Sequence, residues 1–172
     1  ESQMGPLATQ GQLQNITATV ANAAANGATI VYGGKQPAAI NQGWYFEPTI
    51  VDCPHQGFDV VRNELFGPVV SVLTFQDETE VIRAANASRF GLAAGVFTRD
   101  IGKALRVTKQ IRSGIVWVNT YRMVSPIAPF GGYKDSGWGR ESGMDAIYDY
   151  TQPKTVWINT SSDPIADPFM MQ

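Results

Sequence analysis

The segment Asn63-Glu64-Leu65-Phe66-Gly67-Pro68 places a carboxylate two residues before an aromatic ring and closes with Gly-Pro. Gly-Pro favours a turn, so Glu64 and Phe66 are presented from a loop. A carboxylate can accept hydrogen bonds from both hydroxyls of a ribose, and a ring can lean on a flat heterocycle. On composition alone the plainer reading, a capping glutamate and a core phenylalanine, is preferred, because buried Phe is common.

Two further stretches could carry chemistry. Pro129 through Glu141 holds four glycines within residues 131–139, which permits positive φ and close backbone approach. It ends in no Gly-Lys-Ser/Thr ahead of a helix, and it lacks the strand-then-spaced-glycine context of a dinucleotide fingerprint, so a structural loop is the default. In Ser113-Gly114-Ile115-Val116-Trp117-Val118-Asn119-Thr120-Tyr121 an apolar strand delivers Asn119 at its C-terminal end. Open α/β sheets place ligands at that edge. Asn119 can equally pin a loop through backbone groups, and that structural role ranks higher.

The chain contains one cysteine, Cys53, and one histidine, His55. Thiolate formation needs an electropositive setting, whereas the neighbour of Cys53 is Asp52. A Cys–His pair over two residues stays open, with an incidental or structural cysteine ahead of it. A lone Cys excludes an internal disulfide and a Cys-rich zinc site, and no metal is expected.

These residues must be positioned by a chain of 172 residues, 44% hydrophobic, with a net charge of −2. The composition suits one soluble domain, and such a length can bury roughly 70% of the surface of its unfolded form, so a real core is possible. Lys and Arg are scattered, which argues against nucleic acid and against a membrane surface. No apolar run reaches the length of a span and no signal-peptide order opens the chain, so a soluble, cytoplasmic protein is expected. The start, Glu1-Ser2-Gln3-Met4, reads as part of something longer.

Residues 9–26 place Leu13, Ile16, Val20 and Ala24 at helical spacing and predict an amphipathic helix closed by Asn26-Gly27. Residues 28–32 predict a short strand, and residues 45–51 an edge strand or strand entry interrupted by Pro48. Residues 69–75 read as a buried strand, and Asp77 with Glu80 as a capping box opening a helix to about Ala87. Residues 92–97 and 115–118 read as strands, with a helix between them capped by Asp100. Residues 129–139 are expected to be a loop, 141–148 a helix and 155–158 a last strand before a loose tail. The alternation predicts an α/β fold with a mostly parallel sheet and flanking helices.

Taken in order, six segments resemble the C-terminal third of the aldehyde dehydrogenase superfamily. They are Met4-Gly5-Pro6, Gly43 through Thr49, Glu64 through Pro68, Asn86 with Gly91-Leu92-Ala93-Ala94, Ser113-Gly114 with Trp117-Val118-Asn119, and Pro129 through Glu141. The resemblance implies oxidation of an aldehyde to an acid with NAD or NADP through a cysteine thioester. It implies that Glu64 holds the nicotinamide ribose and Phe66 packs by the ring. It also implies an aldehyde tunnel lined by Tyr121, Arg122, Met123, Val124 and Phe130, with Asn119, Gly131 and Gly132 in structural roles. Residues 1–150 would then be catalytic-domain portion, and 151–172 an oligomerisation strand and tail of a dimer or tetramer.

The departures matter as much. The family's nucleophile motif, Gly-Gln-x-Cys, has no counterpart here, and Cys53 falls at no family catalytic position. The general-base Glu is likewise expected upstream. The chain alone is therefore expected to be inactive. Rival readings are a non-catalytic interaction or oligomerisation module, and the acyl-phosphate reductase branch of the same superfamily.

Overall fold

A computed structural model describes residues 4–40, 42–163 and 169. Polar caps start the three longest helices. Thr9 Oγ1 accepts from the Gln12 amide at 3.1 Å and opens α1 (Gln10–Ala25). Asp77 accepts from the Glu80 amide at 2.8 Å and opens α3 (Glu78–Ala87). The Glu80 carboxylate reaches back to the Gln76 amide at 2.7 Å, one residue short of a reciprocal capping box. Asp100 accepts from the Lys103 amide at 3.0 Å and opens α4 (Ile101–Gln110).

The first sheet joins β1 (Thr29–Tyr32), β2 (Thr49–Asp52) and β3 (Val69–Val72) in that order, antiparallel then parallel. β2 is central: Pro48 lies just before it, where a missing N–H removes no ladder bond. A single turn, α2 (Asp59–Arg62), precedes β3 in a stretch where the sequence shows no helical period. β3 is shorter than the expected 69–75 strand, and its residues alternate between half-buried and exposed instead of being buried throughout.

Later in the chain, β5 (Ala93–Val96) pairs in parallel with β6 (Ile115–Val118). β4 (Phe90–Gly91) pairs antiparallel with β7 (Tyr133–Lys134), which lies inside the stretch expected to be all loop. The expected mostly parallel sheet is thus divided into three small sheets, with two parallel and two antiparallel ladders. The helix expected over 141–148 is confined to α5 (Ala146–Asp149), because Glu141 pairs in an extended bridge with Phe130. Residues 155–158 form no strand within this chain; a ladder needs a partner, and none lies alongside among the described residues.

The core gathers under one face of the first sheet. Leu13, Ile16 and Val20 of α1 pack with Phe46, while Ala23, Val51, Cys53, Phe58 and Val60 form a second cluster. The opposite face is open: Tyr32, Ile50 and Val70, in register across the three strands, are exposed. The accessible surface is 13579 Å², against about 8,300 Å² for a compact monomer of 18.7 kDa. The two buried clusters thus give the chain a core, while far more of its surface stays open than in a compact monomer of its mass. No helix of the described residues is long and apolar enough to cross a membrane.

Candidate functional site

The turn 64–68 is fastened from both sides. Leu65 is half-buried and packs against both core clusters, so its neighbours Glu64 and Phe66 face outward. Phe66 has positive φ and is 72% exposed, which removes the core-phenylalanine reading. Its carbonyl accepts from Gln12 Nε2 of α1. Gly67 lies against Ile16, and any β-carbon there would collide with the isoleucine methyl. The Pro68 carbonyl accepts from the Thr49 amide at 2.8 Å, which locks the turn to the start of β2.

Glu64 lines a crevice of about 560 Å³. Val61, Arg62 and Asn63 border it on one side, and Ser88, Leu92 and Ala93 on the other. Nearby, Gln56 Nε2 donates to the Ala84 carbonyl at 2.8 Å across the two parts of the chain. Phe66 does not line this crevice.

The second group of residues sits beyond the C-terminal end of β6. Asn119 has φ 52°. Its Oδ1 accepts from the Thr98 amide and its Nδ2 donates to the Thr98 carbonyl, each at 2.8 Å. The side chain therefore clamps the ends of β5 and β6 together. Trp117 Nε1 donates to the Met123 carbonyl at 2.7 Å, and the Trp117 and Tyr121 rings meet edge to face at 5.5 Å. Between them Arg122 takes φ 60° and lays its guanidinium 5.9 Å from the centre of the Tyr121 ring. Tyr121, Met123 and Val124 are about two-thirds exposed.

Phe130 is half-buried and exchanges backbone hydrogen bonds with Glu141 at 2.6 and 2.7 Å. Gly131 and Gly132 follow it in tight backbone contact: a β-carbon on Gly131 would stand 2.5 Å from the Gly139 carbonyl oxygen. Arg140 Nη1 donates to the carbonyls of Gly132 and Gly139 at 3.1 and 2.6 Å. The structure thus brings Tyr121 and Met123 against Trp117 with Arg122 over the Tyr121 ring, while the Asn119 side chain turns to Thr98. Glu64 and Phe66 stand apart: the contacts of Phe66 run to α1, and those of the loop run to Trp117.

Cys53 is 2% exposed, and burial first, then the Asp52 carboxylate, pushes its thiol pKa upward. His55 instead stacks on Phe58 at 4.7 Å and accepts from the Gly57 amide through Nδ1. Cys53 in this setting is a core residue. Among the described residues, no cluster of three or more His, Cys, Asp or Glu could hold a metal ion.

Two residues organise the site's surroundings without a role that sequence reasoning assigns. Asn86 donates through Nδ2 to the Gln110 carbonyl and accepts the Arg112 amide at Oδ1, both at 2.8 Å. Lys134 Nζ donates to the carbonyls of Asn86 and Ser88 at 3.0 and 2.9 Å. Together they tie α3 to α4 and to β7. Asn86 carries a visible signal, an Asn within an apolar helix end; Lys134 carries none.

The chain as a whole is similar to known proteins. The model of the aldehyde dehydrogenase family matches residues 1–156. A (Z)-2-((N-methylformamido)methylene)-5-hydroxybutyrolactone dehydrogenase of Acinetobacter baylyi is 48% identical over the whole chain, which covers 35% of that protein. A betaine aldehyde dehydrogenase of Brucella anthropi is 45% identical over 91% of the chain, covering 33% of that protein. The NAD+ complex of an aldehyde dehydrogenase from Bacillus cereus superposes with TM-score 0.88 at 40% identity, covering 94% of this chain and 32% of that one. A betaine aldehyde dehydrogenase double mutant from Staphylococcus aureus, in complex with NAD+, gives TM-score 0.88 at 39% identity, covering 99% and 34%. The chain spans about a third of the length of these relatives.

Proposed function

Because the chain belongs to the aldehyde dehydrogenase family, we propose that it forms the C-terminal part of an enzyme oxidising an aldehyde to a carboxylic acid with NAD or NADP. In this reading the cysteine that forms the thioester and the Glu that activates water stand on the preceding part of the polypeptide. The present residues supply a cofactor wall and a substrate wall. The enzyme is a soluble, cytoplasmic dimer or tetramer, and residues 151–172 contribute an assembly strand.

The observation that carries this reading is the outward pair Glu64 and Phe66 on either side of half-buried Leu65. An ionised carboxylate accepts hydrogen bonds only, which suits the paired hydroxyls of the nicotinamide ribose. An exposed ring held by a strained backbone suits a flat heterocycle beside it. The cofactor, when bound, supplies the acceptor for the hydride. Glu64 orients the ribose, and Phe66 limits where the ring can lie. The open sheet face at Tyr32, Ile50 and Val70 supports the view that more protein covers this chain in the working enzyme.

The test compares this chain with the full-length polypeptide, each incubated with NAD or NADP and a panel of aliphatic and aromatic aldehydes. Reduced cofactor should appear only with the full-length protein. Turnover by the chain alone that disappears in Cys53→Ala would overturn the reading and make Cys53 the nucleophile.

A further inference from the structure

The loop after β6 carries a single charge. Residues 119–130 contain Arg122 and no Asp, Glu or Lys. The Arg122 guanidinium has no hydrogen-bond or ion-pair partner among the described residues, yet it is not randomly placed. The Trp117 indole holds the Met123 carbonyl at 2.7 Å, one residue further on, and its ring abuts Tyr121, one residue before. Both flanks of Arg122 are therefore fixed by one half-buried strand residue. The turn between them has a left-handed φ of 60°, which non-glycine residues seldom adopt. The result is a guanidinium over the Tyr121 ring, 5.9 Å from its centre, with its donors open.

We propose that Arg122 sets the substrate class: an aldehyde whose far end carries a carboxylate, and not one that carries a quaternary ammonium. The proposal rests on reading this loop as the substrate wall. A guanidinium keeps its charge at any working pH and offers a planar fork of donors that matches a carboxylate. A quaternary ammonium group would need an open aromatic face. Here the cation of the protein itself already stands over Tyr121, and like charge repels a second one. Several relatives are named for betaine aldehyde, so the inference separates this chain from the activity those names would suggest.

The test uses the full-length enzyme and three aldehydes of equal chain length: succinic semialdehyde, butanal and 4-trimethylaminobutanal. In the unaltered enzyme kcat/KM should fall in that order. Arg122→Gln should lower kcat/KM for succinic semialdehyde by roughly tenfold to a hundredfold, mostly through KM, as loss of a charge-assisted hydrogen bond does. It should leave butanal within about twofold, and Arg122→Lys should restore part of the preference. If Arg122→Gln changes all three substrates alike, or the unaltered enzyme favours the trimethylammonium aldehyde, the specificity proposal falls while the dehydrogenase reading stands. If none of the three is oxidised with either cofactor, the specificity proposal falls, and the dehydrogenase reading falls with it only when the wider panel of aliphatic and aromatic aldehydes fails too.

Discussion

Gly114 and Gly131 are in backbone contact across the start of β6: a β-carbon on Gly114 would overlap the Gly131 carbonyl oxygen and stand 2.8 Å from its carbonyl carbon. Neither group can swing aside as a side chain could. The contact fixes where the Gly-rich loop leaves the sheet, and hence where Phe130 lies.

Gly114→Ala should therefore destabilise the full-length protein by about 1–3 kcal/mol, the usual cost of overpacking. Gly11→Ala is the matched control. Gly11 lies in α1, and a β-carbon there would meet nothing within 4 Å, so alanine should be neutral or stabilising by up to about 1 kcal/mol. Urea unfolding of both variants checks the pair. Equal midpoints would show that the Gly114 contact is not rigid.

The helices are legible in the sequence because their signals are local. Asp77 and Asp100 each cap the helix expected from them, and Thr9, the first residue of the stretch expected to be helical, is the cap of α1. The two-residue ladder of β4 with β7 is not legible: Phe90 pairs with Lys134 through a contact 44 positions away that leaves no periodicity behind. The turn at 59–62 is too short for a helical period to register. At residues 69–75 composition suggests full burial, but only one side of β3 meets the core, and Val70 and Val72 face the open side. Phe66 illustrates the limit at the site. Composition favours a buried ring, and only the fastening of Leu65 and Gly67 to the core turns it outward.

Glu64 should matter for rate more than for folding, since its carboxylate is exposed and faces the crevice. Glu64→Gln in the full-length protein keeps the size but loses one acceptor. Misplacing a ribose by about an ångström can slow reaction on the order of a hundredfold. Single-turnover absorbance of reduced cofactor should show a loss of at least tenfold, with an unchanged thermal midpoint. An unaltered hydride-transfer rate would remove Glu64 from the cofactor wall.

Cys53 gives a pH dependence with a definite sign. Burial and the Asp52 carboxylate raise its pKa in the folded protein. A thiol raised on folding leaves stability intact below the unfolded pKa and loses it as pH climbs toward the folded one. The full-length protein should thus weaken from about pH 8.5 upward relative to Cys53→Ala. Subtracting the Cys53→Ala unfolding free energy from that of the unaltered protein, across pH 7 to about 10.5, cancels the other titrating groups to first order. A difference that stays flat through the alkaline range would mean that Cys53 is not sequestered. The same burial predicts slow alkylation of Cys53 by iodoacetamide in the folded protein.

The last expectation concerns assembly. Val156, Trp157 and Ile158 are 68%, 92% and 79% exposed, and the segment around them forms no ladder in this chain. Three consecutive apolar residues with open backbone donors and acceptors are a pairing hazard unless another edge covers them. Pro153 and Lys154 guard only the entry. Pairing with a second copy of the protein would answer this hazard, because strand addition would satisfy the backbone while Trp157 would supply the large apolar anchor typical of interface hot spots. Deleting residues 155–172 from the full-length protein should lower its mass, by light scattering at micromolar concentration, to that of a smaller assembly. Trp157→Ala should weaken association by on the order of 2 kcal/mol without abolishing folding. A truncated protein that keeps its full oligomeric mass would exclude this segment from the interface and leave Trp157 to be covered within its own polypeptide.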